Sequence, residues 1–400
     1  MLHRVRTTPE STPTSPKQAF EDFERFNVFN KVSKRIKKFG SAALAFASLN
    51  AGYWLDVDNN RAELANAEVS VNVISEAIDK ANNDKAIIFI DGFNAYDADV
   101  LSNYIGPAAQ QVIDGQVWSL SYNNAVLDRN RIYKPILDKV EELGIESIWI
   151  NGYSMGGDIA AEAACDIVTT SDVPINMLSM MHSPDGSAGL QPYQKKELGF
   201  GQWLASWFPG AVNSSYVRFA GELYFYRDNY TKESIGENAV NLGKTTIDIW
   251  QRSNNPKRTS MQLLTEQVYK IDQFNMLDEL KCIAEQQGEK RMFPIVYFKA
   301  KNDTMVDNEL SSDNFADYAQ ETGLDYFSFT VPNAVHAQYY RTVDEYMTTF
   351  AMAKEPILNS IQNEQAKRAF ALLSQQEELR SKPVEPKEFV EPEDIFQAEE

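Results

Sequence analysis

Histidine and cysteine are both scarce in this chain, with three of the first and two of the second among 400 residues. Three histidines leave little material for an all-histidine metal site. Cys165 and Cys282 lack metal-ligand spacing, which excludes a zinc ribbon and a disulfide framework. One bridge between them stays open, although Cys165, in a helical stretch, reads most simply as a small buried apolar side chain. Excess positive charge is missing too. A net charge of −19 argues against a nucleic-acid partner, because binding phosphates needs a basic surface. No repeat of fixed period is visible. What is present is apolar material: 43% of the residues are hydrophobic, enough to bury a large core in one elaborated domain or two ordinary ones.

Charge and composition divide the chain. The first twenty residues are rich in Thr, Ser and Pro, and residues 1–38 carry nine Lys/Arg against four Asp/Glu. They read as a basic, disordered leader. Phe39 to Leu55 follows without a charge, flanked by "KVSKRIKK" on one side and closed by Tyr53 and Trp54. Its length meets only the lower limit for crossing a bilayer, but a basic flank and interfacial aromatics are what a signal anchor carries. The expectation is an anchor at 39–55 with the body outside the cytoplasm. The competing reading is an Ala-rich helix packed on a cytoplasmic body. At the other end, 376–400 is acidic and Pro/Glu-rich, and reads as a solvated tail.

From Val71 the pattern is globular. "KAIIFI" (Lys85 to Ile90) is a continuous apolar run stopped by Asp91-Gly92, the mark of a fully buried strand. Gln116 to Tyr122 reads as a weaker strand, and Arg131 to Ile145 as a helix with Gly144 near its stop. "SIWING" is a strand, Met155 to Thr170 a helix, and Ile175, Phe293 and Tyr326 open further strands. Strands alternating with helices predict an α/β fold, a mostly parallel sheet flanked by helices, over 71–184 and 290–360. About 110 residues separate Met181 from Phe293, far more than one crossover helix needs. Residues 185–289 are therefore expected to form a helical cap insertion. Its many aromatics, Trp203, Trp207, Phe219 and Tyr226 among them, either build a small core of its own or line a substrate-binding underside.

The candidate chemistry sits in "IWINGYSMGGDIAA" (Ile148 to Ala161). A Gly-x-Ser-x-Gly on a strand-to-helix turn thrusts Ser154 out at the carboxyl edge of a sheet. A serine hydroxyl needs a neighbouring base. His3 lies in the leader, and His182 ends a strand before the insertion, where it is expected to border the site without a catalytic role. His336, in a loop after the last strand, is the better placed imidazole. Asp303, shortly after the preceding strand, is the candidate to orient it, with Asp307 and Asp185 as competitors. Backbone donors for a developing oxyanion are expected from Met155 N–H and from Phe93 N–H in "DGFNA".

With these residues in hand, the sequence resembles the α/β-hydrolase superfamily. The resemblance rests on Gly152-Tyr153-Ser154-Met155-Gly156 and on the order Ser154, Asp303, His336, and it spans roughly Lys85 to Ala353. Where many members have His-Gly in the oxyanion loop, this chain has Asp91-Gly92. The resemblance implies a serine hydrolase cleaving an ester or related acyl bond in a small or lipid-like substrate, with no metal or organic cofactor. The alternatives it leaves are an acyltransferase or thioesterase on the same residues, and a membrane-tethered binding protein that keeps the fold without the chemistry.

Overall fold

A computed structural model describes residues 68–92, 98–122, 127–196, 199, 219, 223, 226–231, 234–253, 267, 270–287, 293–336 and 338–381. The leader, the expected anchor at 39–55 and residues 382–400 lie outside the described residues. So do Phe93 and most of the insertion's aromatics, Trp203 and Trp207 included.

Seven strands form one sheet: β1 (Ser70–Ser75), β2 (Lys85–Ile90), β3 (Gln116–Ser121), β4 (Ser147–Tyr153), β5 (Ile175–Met181), β6 (Ile295–Ala300) and β7 (Tyr326–Val331). Their order is β1-β3-β2-β4-β5-β6-β7. β1 pairs antiparallel with β3 and all other pairings are parallel. The expected mostly parallel α/β architecture is present, with β1 as an antiparallel addition beginning at Ser70.

Helices cover both faces because strands buried on two sides need two apolar partners. In β2, Ala86, Ile88 and Ile90 join one core cluster while Ile87 and Phe89 join the other, as period-two alternation requires. The first cluster also contains side chains from α2 (Arg129–Leu143), α3 (Gly156–Thr170), α5 (Met276–Gln287) and α6 (Asn308–Thr322). The second takes α1 (Ala98–Ala109) and α7 (Val343–Ser381). α2 ends where the sequence suggests, at Gly144, whose φ of 64° is the left-handed cap that glycine adopts without cost.

Two boundaries differ from the sequence reading. α5 lies within the expected insertion 185–289, yet Met276, Leu280 and Ile283 are fully buried in the sheet-covering core, and Cys282 on α5 is disulfide-bonded to Cys165 on α3. Cys165 is therefore one end of a covalent tie rather than merely a small apolar side chain. The expected tail at 376–400 begins as helix, since α7 runs to Ser381. The stretch before Pro383 is built of Ala, Leu, Gln, Glu and Arg, which favour helix whatever their charge.

By contacts the chain divides into two units, one of them taking Arg218–Asn254 from the insertion and the other holding the whole sheet. In the first, α4 (Ile235–Ser253) is described, and Phe219 and Ile249 are buried together against Leu223 and Tyr226. For Phe219 and Tyr226 the reading as a small core of the insertion's own is the one observed.

Candidate active site

The strand β4 delivers Ser154. Its φ of 54° is left-handed, a conformation that costs a non-glycine residue of order 1 kcal/mol or more and persists only where the surroundings enforce it. They do so here. Ser154 N–H donates to Met181 O at 2.8 Å, and α3 begins two residues later. A side chain at Gly156 would place its Cβ 2.2 Å from Ile90 O, so only glycine lets the helix start this close to the end of β2. Met155 is buried, and it precedes the first helical bonds, Gly157 N–H to Ser154 O at 2.9 Å and Asp158 N–H to Met155 O at 3.1 Å. Its own N–H is thus one of the donors a helix start leaves for an anion.

His336 and Asp303 come from neighbouring loops. β6 and β7 pair in parallel, and beyond them Lys301 N–H reaches Val331 O and Asn302 N–H reaches Ala334 O at 3.1 Å. These bonds fasten the loop of Asp303 to the loop of His336. Asp303 Oδ1 accepts from Met305 N–H at 2.8 Å and Val306 N–H at 3.0 Å, which fixes the carboxylate plane. Its Oδ2 then meets His336 Nδ1 at 2.9 Å, while His336 Nε2 lies 2.9 Å from Ser154 Oγ. Burial pushes the Asp303 pKa up. The hydrogen bond to His336, the electrostatic pull of the His336 and His182 imidazoles and the Val306 N–H outweigh that and hold it at about 2. An ionised carboxylate only accepts, so Nδ1 carries the imidazole proton and Nε2 presents its lone pair to the serine.

Ser154, Met155, Asp303 and His336 are thus brought together. Phe93, the other expected oxyanion donor, lies outside the described residues. The competitors have other employment: Asp307 accepts from Leu310 N–H at the start of α6, and Asp185 accepts from Asn314 Nδ2 and the Tyr318 hydroxyl. His182 is fully buried, with Nδ1 3.3 Å from the Tyr153 hydroxyl and Nε2 3.0 Å from the Tyr346 hydroxyl. Burial lowers its pKa to about 3 against the opposing pull of Asp303. It is neutral at physiological pH and packs behind the site. Among the described residues, His182, Asp303 and His336 alone gather three metal-ligating atoms, within 4.8 Å of one another. All three are hydrogen-bonded to protein groups as just described.

Sequence reasoning overlooked a charged ladder on α3. Arg129 forks onto Asp166 and Glu279, with Nη1 to Glu279 Oε1 at 2.8 Å, and Lys270 bonds Glu162. One turn nearer Ser154, Asp158 is fully buried and neither carboxyl oxygen has a hydrogen-bond partner among the described residues. Burial, then the charges of Asp185 and Glu162, push its pKa well up, with Lys270 opposing. The unfolded chain sheds this proton near the ordinary carboxyl pKa and the folded chain keeps it, so Asp158 makes stability fall as pH rises above about 4. Asp158→Asn carries no such proton. Its melting temperature should therefore gain on that of wild type as pH rises from 3 to 8. Parallel melting-versus-pH curves would contradict this.

No family model matches the chain, and no curated protein resembles it closely enough in sequence to count as a relative. Solved structures are similar to it over most of their length. MGS-M2, an α/β hydrolase from a Medee basin deep-sea metagenome library, is 13% identical with a TM-score of 0.44, over 70% of this chain and 92% of its own. MenH from S. aureus is 17% identical with a TM-score of 0.43, over 75% of this chain and 99% of its own. The carboxylesterase CesB from Bacillus subtilis is 12% identical with a TM-score of 0.40, over 76% and 99%. At these identities and TM-scores the likenesses carry no conclusion about this chain's activity or fold.

Proposed function

We propose that this chain of α/β-hydrolase fold is a serine hydrolase that cleaves a small acyl ester through an acyl-enzyme. The observation that carries the reading is the continuous hydrogen-bonded line from Ser154 Oγ through His336 to Asp303, 2.9 Å at each step. Along it, Ser154 Oγ attacks the carbonyl carbon as its proton passes to His336 Nε2, and the ionised Asp303 stabilises the imidazolium that forms. The carbonyl oxygen becomes an anion beside Met155 N–H at the positive end of α3. His336 then protonates the departing alkoxide. In the second half-reaction it takes a proton from water as the water oxygen attacks the acyl carbon, then returns that proton to Ser154 Oγ as the acyl–Oγ bond breaks and the carboxylic acid leaves.

The test is labelling by a fluorophosphonate together with turnover of a short p-nitrophenyl ester. Wild type should label and turn over, and Ser154→Ala should do neither while keeping its melting temperature. Folded wild-type protein that never labels defeats the mechanism. The Cys165–Cys282 disulfide further supports a body that works outside the reducing cytoplasm, as secreted and periplasmic proteins do. Recovery of the native protein with both thiols free would count against that placement.

A further inference from the structure

We propose that His182 is a positioning residue that ties together, from behind the site, the three segments carrying Ser154, Asp303 and His336. The inference rests on the serine hydrolase reading and gives a role to an imidazole that acts through other residues and not on the substrate.

His182 is the first residue past β5, the strand that runs between β4 and β6. Its φ of 50° is left-handed, as is that of Ser154, and a histidine keeps such a backbone only where its surroundings enforce it. The peptide unit joining Met181 to His182 shows what that conformation serves. Its carbonyl accepts the Ser154 N–H at 2.8 Å, and its N–H donates to Phe298 O at 2.9 Å. A planar trans peptide points these two groups in opposite directions. One rigid plane therefore spans from the nucleophile's turn to β6, the strand that leads into the loop of Asp303.

The side chain makes the remaining connections. The imidazole is fully buried, with Nδ1 3.3 Å from the Tyr153 hydroxyl and Nε2 3.0 Å from the Tyr346 hydroxyl. Tyr153 directly precedes Ser154, and Tyr346 lies in the first turn of α7, the helix that follows the loop of His336. The two hydroxyls also bond each other. Burial keeps the imidazole neutral, with a single proton. With one proton from each tyrosine, three donors serve three hydrogen bonds and none is left over. The rings pack as well. That of Tyr153 has its centroid 5.2 Å from His182 and 6.1 Å from His336, and His182 stacks on Tyr346 at 5.9 Å. A residue that merely filled this space could be apolar. His182 instead bonds each of the three segments, so a shift of His182 reaches all three members of the site, where small misplacements cost rate.

The decisive variants are His182→Phe, which keeps an aromatic ring and loses both hydroxyl partners, and Tyr346→Phe, which deletes one hydroxyl. On a p-nitrophenyl ester at 25 °C, His182→Phe should lower kcat about 10–100-fold with KM nearly unchanged. The rate of fluorophosphonate labelling should fall by the same factor, because it uses the same serine and imidazole. Tyr346→Phe should move both rates in the same direction by less. The double variant should lose less than the product of the two effects, since both remove one shared bond. His182→Asn, whose amide reaches the place of Nδ1 and whose backbone tolerates the left-handed conformation, should recover part of the rate lost in His182→Phe. A structural role alone would lower the melting temperature and leave the kcat of the folded enzyme unchanged. Folded His182→Phe with wild-type kcat and labelling rate overturns the inference and leaves the serine mechanism standing. If that variant does not fold, Tyr346→Phe with wild-type rates overturns it equally. Wild-type turnover that survives Ser154→Ala overturns both.

Discussion

Replacing His336 with alanine is expected to lower kcat on a p-nitrophenyl ester by about six orders of magnitude, and Asp303→Asn by about four. The difference follows from what each residue does. Without His336 nothing accepts the Ser154 proton, because the other nearby imidazole, His182, is buried between the Tyr153 and Tyr346 hydroxyls. Without the Asp303 charge the imidazole stays in reach, but an asparagine that presents its NH2 to Nδ1 favours the wrong tautomer and leaves the imidazolium uncompensated. The carbonyl oxygen of that asparagine can still accept from Met305 and Val306 N–H, the bonds that hold the loop in wild type at 2.8 and 3.0 Å. The melting temperature should therefore change little while kcat collapses. In the proposed mechanism the three residues act as one unit, so the double variant His336→Ala/Asp303→Asn should be no slower than His336→Ala alone. Two effects that multiplied instead would mean that Asp303 works on something other than His336. Steady-state rates of the single and double variants decide it.

Parts of this arrangement are legible in the sequence for a physical reason. The run Ile148–Ile150 is apolar on consecutive positions because β4 is buried on both faces, and the change to helical spacing after Gly156 marks the turn where Ser154 sits. Three histidines leave few bases to choose among, and a loop just past a strand end is where a polar side chain reaches the carboxyl edge of a parallel sheet. What stayed hidden is non-local or lacks a pattern. β1 is an edge strand with mixed exposure, so it shows no buried run. α5 intersperses the charges of Asp278, Glu279 and Lys281 among its apolar positions, and its three core side chains become evident only once α3 lies beside it. The early segment Gly186 to Gln191 also belongs to the acid's support. Gln191 N–H reaches Met305 O at 2.9 Å and Asp307 N–H reaches Gly189 O at 2.8 Å, contacts between loops that no sequence period announces.

Removing the disulfide with the double variant Cys165→Ala/Cys282→Ala should cost about 3–5 kcal/mol, which is roughly 5 °C in melting temperature. The bridge joins residues 117 apart with Cα atoms 5.8 Å from each other, and a loop of that size loses much of its freedom in the unfolded chain. In the folded state the two helices have other reasons to stay together. Met276, Leu280 and Ile283 are buried beside α3, and Arg129 spans Asp166 on α3 and Glu279 on α5. The native geometry should therefore survive reduction, and ester turnover at 25 °C should stay close to wild type. The unfolded chain, freed of its cross-link, exposes more surface, so the denaturant m-value should rise as the midpoint falls. That pairing separates a tie acting on the unfolded ensemble from a packing contact, whose loss would lower the midpoint at constant m. A variant that unfolds at the wild-type midpoint with the wild-type slope would show that the ion pairs and the apolar face of α5 already carry the whole attachment.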